Sequence, residues 1–149
     1  MSKNTLLGIL VVLALLGLVD SWYLAQSAAT QTDLVCDIQG LDGCNIVSQS
    51  EYSNIFGIPL ADFGLLFYAL LLGSVLVSVR FDRPWFYTWL LILTGAGSLA
   101  SVYFVYVQLG MIGAICIYCV ASAIITWLSL LLSISLFRNA RREPPPVVP

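Results

Sequence analysis

Residues 113–137 read GAICIYCVASAIITWLSLLLSISLF and contain no charged side chain. A helix crossing the hydrocarbon core of a bilayer needs about 20 mostly apolar residues, so this run is long enough to span. Three more runs qualify, at about 5–25, 60–79 and 85–108. Apolar residues lie on all faces of each, as lipid-embedded helices require. The connections differ in kind. Residues 26–59 form a long polar loop, Arg80–Pro84 a tight turn, and Leu109–Ile112 a still shorter link. After Arg138 the chain ends in Pro144-Pro145-Pro146, which cannot continue a helix and should be extended. The expected fold is an all-α integral membrane protein, with one membrane domain over residues 1–143 and a Pro-rich tail over 144–149.

Composition agrees. Of 149 residues, 60% are hydrophobic and 9% charged, against about 25% charged in a typical soluble domain. Disorder needs the opposite balance. The net charge of −2 with no basic block gives nucleic-acid binding no electrostatic support. The absence of histidine removes imidazole acid/base chemistry and most catalytic metal sites. The basic residues, Lys3, Arg80, Arg83, Arg138, Arg141 and Arg142, fall at the N-terminus, in the second connection and in the tail. Four spans put these three places on one side, which the positive-inside rule makes cytoplasmic. The long loop, with Asp33, Asp37, Asp42 and Glu51, is then extracytoplasmic. Trp22 and Tyr23 would lie at the outer interface, and Trp85, Tyr87 and Trp89 at the inner one. A competing reading takes Lys3, the apolar run Leu6–Val19 and Ser27-Ala28-Ala29 as a secretory signal. Asp20, Trp22 and Tyr23 suit a retained helix end better.

Cysteine is the most reactive residue type present. Cys36 and Cys44 lie in the long loop, with seven residues between them; Cys116 and Cys119 bracket Ile117-Tyr118 near the outer start of the fourth span. All four therefore face the side where disulfides persist. Residues i and i+3 of a helix are neighbours, and a helix N-terminus favours a thiolate, the species that attacks a disulfide. Gly40 and the turn signal Asp42-Gly43 suggest a loop able to carry a sulfur to the membrane pair. Blander readings stay open: a structural staple at Cys36 and Cys44, and packed small hydrophobes at Cys116 and Cys119. The spacing is not that of a four-thiolate zinc site, and no metal is expected. Two pairs on one face favour a redox relay. Asp20 and Asp62, near the outer face, are candidate proton relays.

From about Ser21 to Ala123 the chain resembles the vitamin K epoxide reductase family, its bacterial members in particular. The residues that carry the resemblance are Cys36-x7-Cys44, Ser50, Asn54-Ile55-Phe56-Gly57-Ile58-Pro59 and Cys116-x-x-Cys119, in that order. The resemblance implies a four-transmembrane-helix bundle around a quinone, ubiquinone or menaquinone, with a short helix in the outer loop. It implies a quinone-dependent, disulfide-generating oxidoreductase in which Cys119 lies beside the quinone ring and Cys116 is its partner. Cys36 and Cys44 would be the shuttle from a thioredoxin-like or DsbA-like periplasmic protein. It also implies that Ser50, Phe56 and, more weakly, Phe63 and Tyr118 line the quinone pocket, and that the membrane is a bacterial plasma membrane. Two departures weaken vitamin K epoxide as a substrate: Ala123 stands where animal enzymes carry tyrosine, and Ser53 where they carry asparagine. Many bacterial relatives carry a fused thioredoxin-like domain, and the end at Pro149 implies that here the partner is a separate protein. The DsbB class shares the four-helix outline and the chemistry, but there Cys-x-x-Cys precedes the wider pair. A non-enzymatic membrane protein with a stapled loop is the rival from another class.

Overall fold

The computed structural model describes residues 2–36, 43–81 and 83–142. Four helices are long and apolar enough to cross a membrane. These are α1 (Lys3–Thr30), α3 (Leu60–Arg80), α4 (Pro84–Val107) and α5 (Ile117–Arg142). Between α1 and α3 lie a short helix α2 (Cys44–Ser48), a single 3-10 turn at Glu51–Ser53 and a two-stranded hairpin, β1 (Asn54–Ile55) and β2 (Ile58–Pro59). The tail after Arg142, and with it Pro144–Pro146, lies outside the described residues, as do Asp37, Gly40 and Asp42.

Local chemistry sets the helix ends. The Ser2 hydroxyl accepts from the Thr5 N–H at 3.2 Å and caps α1. Gln31 closes α1 in the left-handed region, its N–H bonded to the Ser27 carbonyl. Pro84 opens α4 in the first turn, where a missing N–H costs no intrahelical bond. Sequence placed the start of the fourth span at Gly113, and the structure moves it to Ile117. The reason lies in the chain before it. A π-helical turn, Gln108–Ile112, extends α4 and ends at Gly113 with φ 69°. Glycine takes that angle without steric cost. Residues 113–116 then form the link into α5.

Two clusters occupy opposite ends of the bundle. The larger joins the beginning of α1 (Leu6, Leu7, Leu10), the end of α3 (Leu71, Val75), the beginning of α4 (Leu90) and the end of α5 (Leu136). The smaller joins Leu34, Cys44 and Cys116, with Leu24 and Cys119 packed against it. Several helix hydroxyls bond back to the preceding turn, although those of Ser98 and Ser133 are buried with no partner among the described residues. Thr94 bonds the Leu90 carbonyl at 2.7 Å and Ser129 the Ile125 carbonyl at 2.8 Å.

One close approach ties α1 to α3. A Cβ at Gly17 would collide with the Tyr68 ring, whereas one at Gly8 would meet nothing within 4 Å. Gly17→Ala should therefore lower stability by about 1–3 kcal/mol through overpacking, despite the better helix propensity of alanine. Gly8→Ala should leave it unchanged or raise it slightly. Unfolding of the purified protein in detergent measures both; equal effects would show that Tyr68 yields to the methyl group.

Candidate redox site and cavity

The structure brings the four cysteines to one end of the bundle. Cys36 and Cys44 are joined by a disulfide, with Cα atoms 6.3 Å apart, while Cys116 and Cys119 carry free thiols. Cys44 is 0% and Cys116 1% exposed, and both belong to the smaller cluster. Cys36 is half-buried at its rim.

Two contacts seat the loop there. The Asn45 side chain clamps the chain before Cys36, accepting from the Leu34 N–H at 2.7 Å and donating to the Leu34 carbonyl at 3.3 Å. The backbone at Gly43 lies so close to the link into α5 that a Cβ there would stand 2.8 Å from the Ile115 nitrogen. Gly43 stands in a turn, as the sequence suggests, at the head of α2. Its φ is −74°, open to any residue; close approach, not conformation, requires glycine.

Cys116 precedes α5 rather than lying within it. Its carbonyl accepts from the Val120 N–H at 3.0 Å, the first bond of the helix, so Cys116 is the N-cap. Its sulfur takes the place of a capping oxygen and accepts from the Cys119 N–H at 3.4 Å. The Gln108 side-chain oxygen accepts from the Cys116 N–H at 3.0 Å, so the π-helical turn also holds the link in place. Hydrogen bonding to Cys119 lowers the Cys116 thiol from its ordinary range, against burial, which raises it. A thiolate here meets the partial positive charge of a helix N-terminus.

Beneath the cluster, between the helices, lies a cavity of about 710 Å³, within the usual range for a small-molecule site. Its wall includes Cys44, Cys116 and Cys119, the aromatic rings of Phe63, Phe67 and Phe104, and Ala123. A hydroxyl cluster also borders it: the Tyr68 hydroxyl donates to the Ser122 carbonyl at 2.8 Å and lies 3.0 Å from the Thr126 hydroxyl.

The other residues singled out from sequence divide two and two. Ser50 lines the cavity, with its hydroxyl donating to the Val47 carbonyl at 2.7 Å, and Phe63 lines it from the first turn of α3. Phe56 does not. It is 99% exposed at the hairpin tip. With φ 51° there and 80° at Gly57, the two-residue turn has the positive angles of a type I′ hairpin, which aims the ring away from the bundle. Tyr118 does not line the cavity either. Its hydroxyl donates to the Val35 carbonyl at 2.8 Å, and its ring packs on Tyr23 with centroids 5.2 Å apart. It holds the loop and α1 against α5. The sequence reading missed Tyr68, Gln108, Ser122 and Thr126. The available signal was polar side chains inside apolar spans, with Ser122 and Thr126 one helical turn apart.

Gly43→Ala should push α2 off the link into α5. Amide exchange across residues 44–48 should then quicken by about tenfold, equivalent to 1.4 kcal/mol. Unchanged exchange would show that the seat tolerates a methyl group.

Comparison with known proteins places these features in context. The model of the vitamin K epoxide reductase family matches residues 8–134. Thiol-disulfide oxidoreductase LTO1 of Arabidopsis thaliana is 29% identical over 124 residues, which cover 78% of this chain and 33% of that protein. The chain thus spans about a third of the length of that relative.

Proposed function

Because the chain belongs to the vitamin K epoxide reductase family, we propose that it is a membrane thiol:quinone oxidoreductase that generates disulfides in a thioredoxin-like or DsbA-like partner. The name of its plant relative, a thiol-disulfide oxidoreductase, supports the disulfide half of this reading. One observation carries it: Cys44 of the loop and both helix cysteines share the wall of a single cavity.

The cavity fits a quinone headgroup in kind. It is large enough, its aromatic walls suit a flat apolar ring, and hydroxyl groups border it. A quinone bound there would accept two electrons and two protons. The protein's part is to position the sulfurs and stabilise thiolates. A partner thiolate attacks the half-buried Cys36, which breaks the loop disulfide and frees Cys44. The partner's second thiol then resolves the mixed disulfide. Cys44, already packed in the cluster with Cys116, attacks Cys116 of an oxidised helix pair and releases Cys119 as a thiolate. Cys36 displaces Cys116 and restores the loop disulfide. The arrangement of one joined pair and two free thiols corresponds to the helix pair holding the electrons.

The reading includes a membrane orientation. The helix ends at Lys3, Arg80 and Arg142 lie opposite the cysteine end. The positive-inside rule puts the basic end in the cytoplasm and the sulfurs on the outer side; that the membrane is a bacterial plasma membrane rests on the resemblance to bacterial members of the family, not on the charges.

The purified, reduced protein should consume stoichiometric ubiquinone or menaquinone analogue anaerobically as Cys116 and Cys119 join, and Cys119→Ala should abolish the absorbance change. Undiminished turnover in that variant would sink the assignment. No reaction by folded wild-type protein with either analogue would favour a stapled-loop protein without this activity. In a second measurement, a variant carrying both Cys36→Ala and Cys119→Ala keeps one sulfur of each pair. It should accumulate a Cys44–Cys116 disulfide, identified by peptide mass spectrometry. If the two remain unlinked under mild oxidation, the loop does not deliver Cys44 to the helix.

A further inference from the structure

Asp20 is an acidic residue inside a membrane-length helix, and the relay described above does not use it. One of its carboxylate oxygens, Oδ2, is buried and has no hydrogen-bond partner among the described residues. Its neighbours along α1 show where it faces. Gly17, one turn before it, meets the Tyr68 ring of α3. Tyr23, three residues on, packs on Tyr118 of α5. Leu24, four residues on, packs against the cysteine cluster. Residues at these spacings share one helix face, so Asp20 lies on the face turned to α3 and α5, one turn below the sulfurs. The carboxylate lies on the side of α1 that meets Tyr68 of α3 and the cysteine cluster at the head of α5. The loop sulfurs beyond them are bonded and do not titrate. Every lysine and arginine lies at or beyond the helix ends on the opposite side of the bundle.

A carboxylate in such surroundings is costly unless it is paired or neutralised. No fixed cation is at hand, so a proton is the positive charge that can neutralise it. The groups within its reach that release protons during the reaction are the two thiols.

We propose that Asp20 carries one of the two protons that leave the Cys116–Cys119 dithiol when it is oxidised. The proposal rests on the quinone reductase reading above. Cys119 gives its thiol proton to the Asp20 carboxylate through water. As the two sulfurs join, two electrons leave for the quinone. The proton held on Asp20 and the proton from Cys116 follow them, so that dithiol and quinone become disulfide and quinol. Asp20 returns to its ionised form.

The test compares the full-length wild type with Asp20→Asn and Asp20→Glu in detergent. In reduced, quinone-free protein, alkylation of Cys116 and Cys119 by an uncharged reagent is followed against pH by peptide mass spectrometry. Asparagine removes a negative charge that opposes the neighbouring thiolates, so the midpoint should move down by about one pH unit. Single-turnover quinone reduction at neutral pH should nevertheless slow about a hundredfold, and Asp20→Glu should restore most of it. More thiolate with less turnover is the signature of a lost proton carrier. A purely structural role would slow turnover without moving the midpoint. An unmoved midpoint, or unslowed turnover in Asp20→Asn, overturns the proposal. If the wild type reduces quinone and Asp20→Asn does so equally, only this proposal fails. If the wild type does not reduce quinone, the functional reading fails and takes this role with it.

Discussion

The site depends on backbone meeting backbone without a side chain between them. At Gly43 the loop lies against the link into α5, closer than a Cβ would allow. That contact and the Asn45 clamp on Leu34 bring Cys44 into the cluster with Cys116. Thiol–disulfide exchange passes through a mixed disulfide and so requires the two sulfurs to touch. A loop held away by one methyl group would part Cys44 from Cys116.

The helix pair is built with similar economy. Cys116 caps α5 and receives the Cys119 N–H on its sulfur, so the side chain that starts the helix is a free thiol. The π-helical turn before it contributes Gln108, which accepts the Cys116 N–H. Without that bond a buried amide would stand unpaired, at a cost of about 1–3 kcal/mol. Wide helical turns of this kind often occur at functional positions in other proteins, and here the turn holds the link that carries Cys116.

Much of this was legible in the chain itself. Apolar runs of spanning length mark the four long helices because lipid requires them to be apolar on every side. The grouping of Lys3, Arg80, Arg83 and the three C-terminal arginines matches the helix ends opposite the cysteines. The spacing of the cysteines marked two pairs. What was not legible depends on side-chain direction. Phe56 and Phe63 are both aromatic and both near the start of a span, yet a two-residue turn with positive φ sends one outward while α3 carries the other to the cavity. Tyr118 sits between two cysteines in sequence but faces α1 and the loop. Gly43 stands in a turn as its sequence suggests, but only the neighbouring backbone shows that it must also be small.

The two clusters divide the molecule into halves with different obligations. In the half built on Leu10, Leu71, Leu90 and Leu136, these leucines stand away from the cavity wall, which the cluster reaches through Phe67 and Tyr68, so the duty of the leucines is volume. Such cores accept wholesale hydrophobic substitution when total volume is kept. The half around Cys116 is fixed atom by atom. Tyr68 stands at the border, its ring packed in the first half and its hydroxyl bonded beside the cavity of the second. Drift in sequence should therefore accumulate freely on the basic side of Tyr68 and be arrested on the cysteine side. A designer could rebuild the lower bundle for stability as a separate module, provided the ring of Tyr68 keeps its seat.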